Sequence, residues 1–317
     1  MSSHNPPKEQ LPLVVILGPT AVGKTEISIQ LAERLEGEIV SADSRLFYRG
    51  MDIGTAKPTP ADCARVPHHL IDVAEPDEVW NLAIFQRSAQ YTIREIHTRG
   101  HLPFLVGGTG QYIYAVIEGW QIPESKPDPE VRSALESWVS EIGPDGLHNR
   151  LSVLDPVAAS RIDSRNLRRT IRALEVVLRT GRRFSEQSVR GRSPYRTLLV
   201  GLSRPRPELY ARIDTRIESM LEEGFEDEVR ALLQKGYDPG LPNLSAIGYR
   251  QMIAYVNEEI SIDEAVTLMK RRTRQFVRRQ ANWFKESDPS IYWFRVAQNT
   301  VEEIEALIRL WLDKVEV

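Results

Sequence analysis

The chain has 317 residues, of which 41% are hydrophobic, and its 41 basic and 44 acidic side chains leave a formal net charge of −3. A chain of this length can bury one large core, or one core and a smaller second domain. No apolar run approaches the roughly 18 residues that a membrane-spanning helix needs, so we expect no membrane partner. The single cysteine, Cys63, excludes an internal disulfide and a cysteine-rich zinc site. These features lead us to expect a soluble, cytoplasmic protein.

A glycine-rich turn follows the first buried strand. Residues 18–25, GPTAVGKT, come directly after the apolar run Leu13–Leu17 and lead into a segment with helical periodicity. This order is the context that a phosphate-binding loop (P-loop) requires, because backbone N–H groups, a lysine and a helix N-terminus then converge on one anion. The whole stretch is the predicted anion site: Gly18, Pro19, Thr20, Ala21, Val22, Gly23, Lys24 and Thr25. The Thr25 hydroxyl is the predicted ligand of Mg²⁺.

Alternating strand and helix patterns predict an α/β fold, with a P-loop kinase-like parallel sheet as its core. We expect strands at residues 13–17, 38–41, 69–73, 101–106, 197–202 and 292–294, and helices at 24–35, 82–99, 208–223, 227–235, 262–285 and 301–312. Prolines near residue 123 introduce a stretch with helical periodicity only. We therefore predict a helical insertion at 121–195, a core formed by 13–120 and 196–317, and a polar disordered tail at 1–12.

Charge is unevenly distributed along this nearly neutral chain. Residues 161–183 carry eight arginines against two acidic residues, and residues 270–285 carry seven basic residues and no acidic one. Such segregation is typical of a polyanion-binding face on an otherwise acidic protein. The alternative is that these are ordinary solvated helix faces.

Asp43 follows the second predicted strand. Parallel strands present their carboxyl ends to the same crevice, so we expect Asp43 to lie beside the phosphate-binding loop. The fourth strand runs into Gly107-Gly108-Thr109-Gly110, where a kinase-like fold often carries an aspartate. The two glycines would let a substrate approach the backbone closely. We expect Thr109 to face the same crevice.

Taken in order, the motifs resemble those of the tRNA dimethylallyltransferase (tRNA isopentenyltransferase) family. The matching stretches are GPTAVGKT, SADSRLFYRGMDIGTAKP, PHHLIDV, FLVGGTGQYI, DPEVR, NLRRTIRALEV, GFEDEVRAL, AIGYRQM and TRQFVRRQANWF. They extend from the first strand to about Phe284. The zinc finger of eukaryotic members is missing, which indicates the bacterial type.

The resemblance implies transfer of a dimethylallyl group from dimethylallyl pyrophosphate to N6 of the adenosine 3′-adjacent to the anticodon in tRNA. It implies that the loop and Mg²⁺ hold the donor pyrophosphate, and that Asp43, Thr25 and Arg216 are catalytic. Arg216 matches a family arginine that contacts the pyrophosphate. A general base is useful because N6 loses a proton as it is alkylated, and Asp43 is the candidate. Its alternative roles are a helix cap or a water-mediated Mg²⁺ ligand.

The resemblance also implies a set of tRNA contacts. They are Asp43, Ser44, Arg45, Leu46, Thr109, Arg132, Arg168, Arg169, Thr170, Ile171, Arg172, Ser245, Ala246, Ile247, Gly248, Tyr249, Arg250, Thr273, Arg274, Gln275, Arg278, Arg279 and Gln280. Structural roles are the alternative at Thr109 and Arg132. Phe47, Tyr48 and Tyr249 either support the extruded base or pack in the core. We expect a monomer, and the pattern leaves open whether ATP also binds the loop.

Three other functions share part of this pattern. A nucleotide or small-molecule kinase would use the same loop and sheet but would gain nothing from two arginine-rich helices. A prenyltransferase for free adenine nucleotides would not need the helical insertion. A non-catalytic RNA-binding protein would not need GKT or Asp43. His68 and His69 do not suggest a metal site, because neighbouring residues on a strand point to opposite faces.

Overall fold

The computed structural model describes residues 10–123, 128–187 and 191–314. These residues form two compact units. The larger unit contains the described residues up to Ile117 and those from Pro194 onward, and the smaller one is Glu118–Ser193. The insertion therefore begins three residues before the predicted residue 121 and ends two before residue 195. In the described part of the chain, no helix is long and apolar enough to cross a membrane.

The larger unit is built on one parallel sheet. Its six strands lie in the order β3-β2-β4-β1-β5-β6. The strands are β1 (Leu11–Leu17), β2 (Gly37–Ser41), β3 (His68–His69), β4 (Leu102–Gly107), β5 (Tyr195–Ser203) and β6 (Ile291–Arg295). Every strand pair is parallel, which confirms the predicted α/β class.

Thirteen helices are present among the described residues. Nine belong to the larger unit: α1 (Lys24–Arg34), α2 (Pro60–Arg65), α3 (Leu82–Thr98), α4 (Gly110–Ile117), α9 (Arg206–Glu222), α10 (Phe225–Gln234), α11 (Tyr249–Val256), α12 (Ile262–Gln280) and α13 (Thr300–Asp313). The smaller unit contains α5 (Pro129–Leu154), α6 (Pro156–Arg161), α7 (Leu167–Thr180) and α8 (Phe184–Gln187). Gly143, with φ 72°, interrupts the helical backbone of α5.

Strand β1 lies at the centre of the sheet, between β4 and β5. Leu13 to Leu17 are completely buried, as expected for a strand covered on both faces. The same run that predicted a strand thus provides the middle of the core. The smaller unit has a separate core around Leu147, Leu151 and Leu174.

Several predicted boundaries were wrong. The third strand was expected at residues 69–73, but β3 ends at His69 because Leu70 and Asp72 adopt left-handed backbone with φ 60° and 54°. Helix α12 ends at Gln280 rather than at residue 285. Helices α2, α4 and α11 were not predicted, being only six to eight residues long. Residues 11 and 12 of the predicted tail belong to β1, and residues 1–9 lie outside the described residues.

A buried carboxylate joins three elements at the amino end of the sheet. Glu38 on β2 has only 3% of its side chain exposed. It accepts hydrogen bonds from Nε and Nη2 of Arg99, at 3.0 and 2.7 Å. His69 Nε2 lies 2.6 Å from Glu38 Oε2, and His101 Nδ1 lies 2.7 Å from Oε1. Burial would raise the pKa of Glu38, but these hydrogen bonds outweigh it and lower the pKa to about 2.

This geometry predicts an acid-dependent loss of stability. Because the pKa of Glu38 falls from 4.5 to about 2 on folding, the carboxylate stabilises the fold above pH 4.5, and that contribution disappears as the pH falls towards 2. Glu38→Gln should lower the free energy of unfolding at pH 7 by about 3 kcal/mol and flatten its pH dependence in that window. Urea unfolding at several pH values measures this. Glu33→Gln, at an exposed ion pair with Arg65, is the control and should change stability little. Equal stabilities for wild type and Glu38→Gln at pH 7 would contradict the assignment.

Candidate active site

The turn between β1 and α1 depends on two glycines with unusual backbone angles. Gly18 and Gly23 have φ of 152° and 110°, which side-chain-bearing residues rarely adopt. Helix α1 begins at Lys24, and among the described residues no side chain caps its N-terminus. The first N–H groups of a helix have no intrahelical acceptor. The turn is therefore ready to bind an anion, as its sequence predicted.

Two arginines, one just before α9 and one within it, hold the other side of this turn. Arg204 Nε donates to the carbonyl of Val22 at 2.9 Å, and Arg212 Nε donates to the carbonyl of Ala21 at 2.7 Å. Both contacts fix the direction in which these peptide groups point. Sequence reasoning missed both arginines, because they are about 190 residues away from the turn along the chain.

Lys24 is folded back over the turn. Its Nζ donates to the carbonyls of Gly18 and Pro19 at 3.1 and 2.9 Å. Burial lowers the pKa of Lys24 to about 8; nearby Asp43 opposes this shift and Arg216 adds to it. The ammonium is still charged at neutral pH but poorly solvated. An anion on the turn would therefore gain a strong electrostatic partner.

The turn opens into one cavity of about 1070 Å³ within the larger unit. Many predicted site residues line it: Thr20, Ala21, Gly23, Lys24, Thr25, Asp43, Ser44, Arg45, Leu46, Thr109, Arg216, Ser245, Ala246, Ile247, Gly248, Tyr249, Thr273, Arg279 and Gln280. Gly18, Pro19, Val22, Arg250, Arg274, Gln275 and Arg278 are not part of its lining. Its volume lies at the upper end of the range for small-molecule pockets, about 300 to 1,000 Å³.

Asp43 lies just beyond the carboxyl end of β2 and lines the cavity with Lys24 and Arg216. Its Oδ1 accepts the backbone N–H of Arg45 at 3.0 Å, which orients the carboxylate. Burial lowers the pKa of the Arg216 guanidinium, and Asp43 opposes that shift. The site thus places one carboxylate next to two incompletely solvated cations.

Magnesium fits the oxygen ligands of this cavity. The Thr25 side chain is exposed on the cavity wall, and the Asp43 carboxylate lines the same space. Mg²⁺ prefers a few protein oxygens together with substrate phosphates to a cage of protein ligands. Accordingly, no cluster of three or more metal-ligating side chains occurs among the described residues.

A single glutamate holds the loop of residues 46–58. Glu228 on α10 accepts the N–H groups of Asp52, Ile53 and Gly54 at 2.8, 2.6 and 3.1 Å, and the hydroxyl of Tyr249 at 2.5 Å. The sequence alone does not identify this anchor. Glu228 lies in the motif GFEDEVRAL and was not selected, since its partners are main-chain groups.

Several predicted ligand contacts turned out to be interior side chains. Tyr249 is completely buried, and burial beside Glu228 raises its pKa. Gln280 is 6% exposed, and Phe47 and Tyr48 belong to the core. These side chains therefore support the site from behind. No aromatic ring of this set is free to stack on a base.

The two glycines after β4 also serve the fold. A Cβ at Gly107 would lie 2.6 Å from the carbonyl oxygen of Ala42, and one at Gly108 would lie 2.4 Å from Gln280 Nε2. Gly108 also lines the cavity, so the expectation that a substrate approaches this backbone stays a prediction. Thr109 does line the cavity, beside the N-terminus of α4.

The arginines of the larger unit differ in whether their side chains are exposed or bound to other protein groups. Arg45, Arg250, Arg278 and Arg279 are exposed. Arg274 is instead engaged with α9: its Nη2 lies 2.5 Å from Asp214 Oδ2, and its guanidinium stacks 5.3 Å from the ring of Tyr210. Arg274 therefore joins two helices, a role that a charge count does not predict.

In the smaller unit, Glu175 divides the predicted arginines into two groups. Its buried carboxylate binds Arg132 at 3.0 Å and Arg172 at 2.7 Å, so both arginines have structural partners. Thr170 and Ile171 are buried and cannot offer their side chains to RNA. Arg168 and Arg169 are exposed and have no ion-pair partner among the described residues.

Comparison with known proteins agrees with this arrangement. The IPP transferase family model matches residues 46–287, more than half of the chain. The chain belongs to the IPP transferase family. A tRNA dimethylallyltransferase of Roseiflexus sp. is 49% identical over 96% of this chain and 99% of its own, and that of Dehalococcoides mccartyi is 44% identical over 98% and 95%.

Solved structures of this family have the same fold. The tRNA isopentenylpyrophosphate transferase of Bacillus halodurans is 42% identical, covers 96% of this chain and 97% of its own, and superposes with a TM-score of 0.72. A eukaryotic dimethylallyltransferase acting on tRNA is 28% identical over 94% of this chain and 78% of its own, with a TM-score of 0.78. The predicted P-loop core is thereby confirmed.

The contacts of Glu228 generate a prediction for the loop of residues 46–58. In Glu228→Gln an amide NH₂ would replace one carboxylate oxygen, leaving main-chain N–H groups of the loop without an acceptor. Such unsatisfied groups cost about 1 to 3 kcal/mol each, so we expect a loss of about 2 kcal/mol and faster hydrogen exchange at residues 51–55. Glu226→Gln, which removes only an i,i+4 pair with Arg230, is the matched control. Unchanged exchange in the Glu228 variant would show that the loop is held by other contacts.

Proposed function

We propose that the chain transfers the dimethylallyl group of dimethylallyl pyrophosphate to N6 of the adenosine 3′-adjacent to the anticodon in tRNA. The observation that carries this proposal is the common cavity of an anion-binding turn and the Asp43 carboxylate, which lines it together with Lys24 and Arg216. The cavity, of about 1070 Å³, would take the donor and the one extruded base of the acceptor. The names of the relatives, all of which act on tRNA, support the same reaction.

The donor pyrophosphate would lie on the turn of residues 18–25. Negative charge builds on the pyrophosphate oxygens as the C–O bond of the donor breaks. The start of α1, Lys24 and Arg216 all lie on the wall of the cavity beside this turn. Preorganised donors of this kind stabilise a leaving group without further reorganisation. Bound Mg²⁺, held by Thr25, would supply additional neutralisation of that charge.

Asp43 would act on the acceptor. The adenine amino group is a poor nucleophile, since its lone pair is delocalised into the ring. As N6 bonds to the allylic carbon, its N–H becomes strongly acidic, and a carboxylate beside it accepts the proton. The products are N6-dimethylallyladenosine, pyrophosphate and one proton on Asp43. The bond from Arg45 N–H to Oδ1 orients the carboxylate for this role.

Transfer RNA would contact exposed cations in each unit. In the larger unit these are Arg45, Arg250, Arg278 and Arg279, and in the smaller unit Arg168 and Arg169. Exposed, unpaired arginines can neutralise phosphates without first breaking an ion pair. The target base must leave its stack to reach the cavity, as in other enzymes that modify bases.

Asp43→Asn tests the chemistry. The amide keeps the shape and one acceptor oxygen but cannot take up a proton, so single-turnover transfer at saturating donor and tRNA should slow by about 10² to 10⁴. Prenylated adenosine is measured after nuclease digestion of the tRNA. Asp227→Asn, an exposed residue on α10, is the control and should react like wild type. A loss below about tenfold would mean that Asp43 only positions the base, since one hydrogen bond is worth about 1 kcal/mol.

The exposed arginine pair of the smaller unit tests the RNA contact. Affinity for tRNA should fall steeply with salt, and Arg168→Gln/Arg169→Gln should reduce the log–log slope by about one to two while leaving pyrophosphate binding unchanged. The control, Arg230→Gln/Arg309→Gln, removes the same charge at positions outside the predicted contacts. If both double variants have the wild-type slope, residues 168 and 169 form an ordinary solvated surface.

A further inference from the structure

Gln280 is a buried polar side chain with two specific partners. It is the last residue of α12, follows the exposed Arg278 and Arg279, and is only 6% exposed itself. Its Oε1 accepts the N–H of Thr20 at 2.9 Å, and its Nε2 donates to the carbonyl of Gly108 at 3.1 Å. One carboxamide thus joins the turn after β1 to the turn after β4.

We infer that Gln280 is a positioning residue for the anion-binding turn and does not contact RNA. The Thr20 N–H already donates to the Gln280 carboxamide oxygen, so it does not donate to a phosphate. The anion would therefore be held by the N–H groups nearer to α1 and by Lys24. Gln280 fixes the first half of the turn, so that the second half keeps its donors in place.

The chemistry of the side chain suits this role. A carboxamide offers an acceptor oxygen and a donor NH₂ group in one plane. The two turns require one of each, an acceptor for Thr20 N–H and a donor for the Gly108 carbonyl. A glutamate would place a second acceptor against the Gly108 carbonyl, whereas a lysine or arginine would offer no acceptor to Thr20. Gly108 completes the fit, because a Cβ at this position would lie 2.4 Å from Gln280 Nε2.

The two hydrogen bonds of Gln280 also connect the anion-binding turn to helix α12. Helix α12 carries exposed arginines at its C-terminal end, and its final residue holds the anion-binding turn. Preorganisation of that turn lowers the cost of ordering it when the anion binds. Loss of the link should therefore weaken anion binding while leaving the exposed arginines in place.

The test compares two ligands, and it rests on the proposed role of the turn as the donor pyrophosphate site. Inorganic pyrophosphate with Mg²⁺ is titrated calorimetrically, and unmodified tRNA is titrated separately. Gln280→Met, which has similar volume and neither hydrogen-bonding group, should bind pyrophosphate about tenfold more weakly and tRNA with wild-type affinity. Gln86→Met is the matched control: Gln86 is also buried and donates to a main-chain carbonyl, that of Ala115 at 2.6 Å. It should lower the melting temperature without changing pyrophosphate affinity.

Each other outcome has a definite meaning. Wild-type pyrophosphate affinity in Gln280→Met, or a selective loss of tRNA affinity, overturns the inference. Failure of the wild-type protein to bind pyrophosphate overturns the proposed donor site, and the inference with it. If Gln280→Met does not fold, Gly108→Ala displaces the carboxamide from the other side and should give the same tenfold loss. Faster hydrogen exchange at Thr20 in that variant reports the broken bond directly, and wild-type exchange with wild-type affinity would overturn the inference.

Discussion

The site depends on a lysine with a lowered pKa, in the turn that follows the central strand. Burial lowers the pKa of Lys24 to about 8, and its Nζ is directed at carbonyl oxygens of its own turn. Beside it, helix α1 begins without a side-chain cap in the part of the chain that the structure describes. Both features are unfavourable in an empty site and become favourable when an anion arrives. The free energy that these two features cost the empty site is therefore recovered when an anion binds.

Contacts from distant segments keep this turn and its surroundings in place. Arg204 and Arg212 bind the carbonyls of residues 21 and 22, and Glu228 holds the loop of residues 46–58. All three supports come from the segment after β5, about 175 to 190 residues from their partners along the chain. The C-terminal part of the larger unit therefore completes a site whose ligand-binding atoms lie mostly in its N-terminal part. This division explains why the family motifs continue to about Phe284.

The sequence predicted elements with strong local patterns and missed those set by tertiary contacts. Strand β1 and the turn after it were correctly predicted, because an apolar run, two glycines and GKT each have a local physical reason. Burial of Gln280 was not predicted, since nothing in the basic segment 270–285 shows which polar side chain faces inward. For Tyr249 the sequence left core packing open, and the structure shows it buried. Counting charges identified eight arginines in residues 161–183 but not that buried Glu175 already pairs with Arg172.

The central claim is that the turn of residues 18–25 holds the donor pyrophosphate next to Asp43. The most direct measurement is a crystal structure of the protein with Mg²⁺ and a dimethylallyl pyrophosphate analogue whose bridging oxygen is replaced by sulfur. The account predicts pyrophosphate oxygens on the N–H groups at the start of α1 and on Lys24, with the allylic carbon directed to the part of the cavity that Asp43 lines. A pyrophosphate bound outside this turn, or an allylic carbon directed away from Asp43, would contradict it.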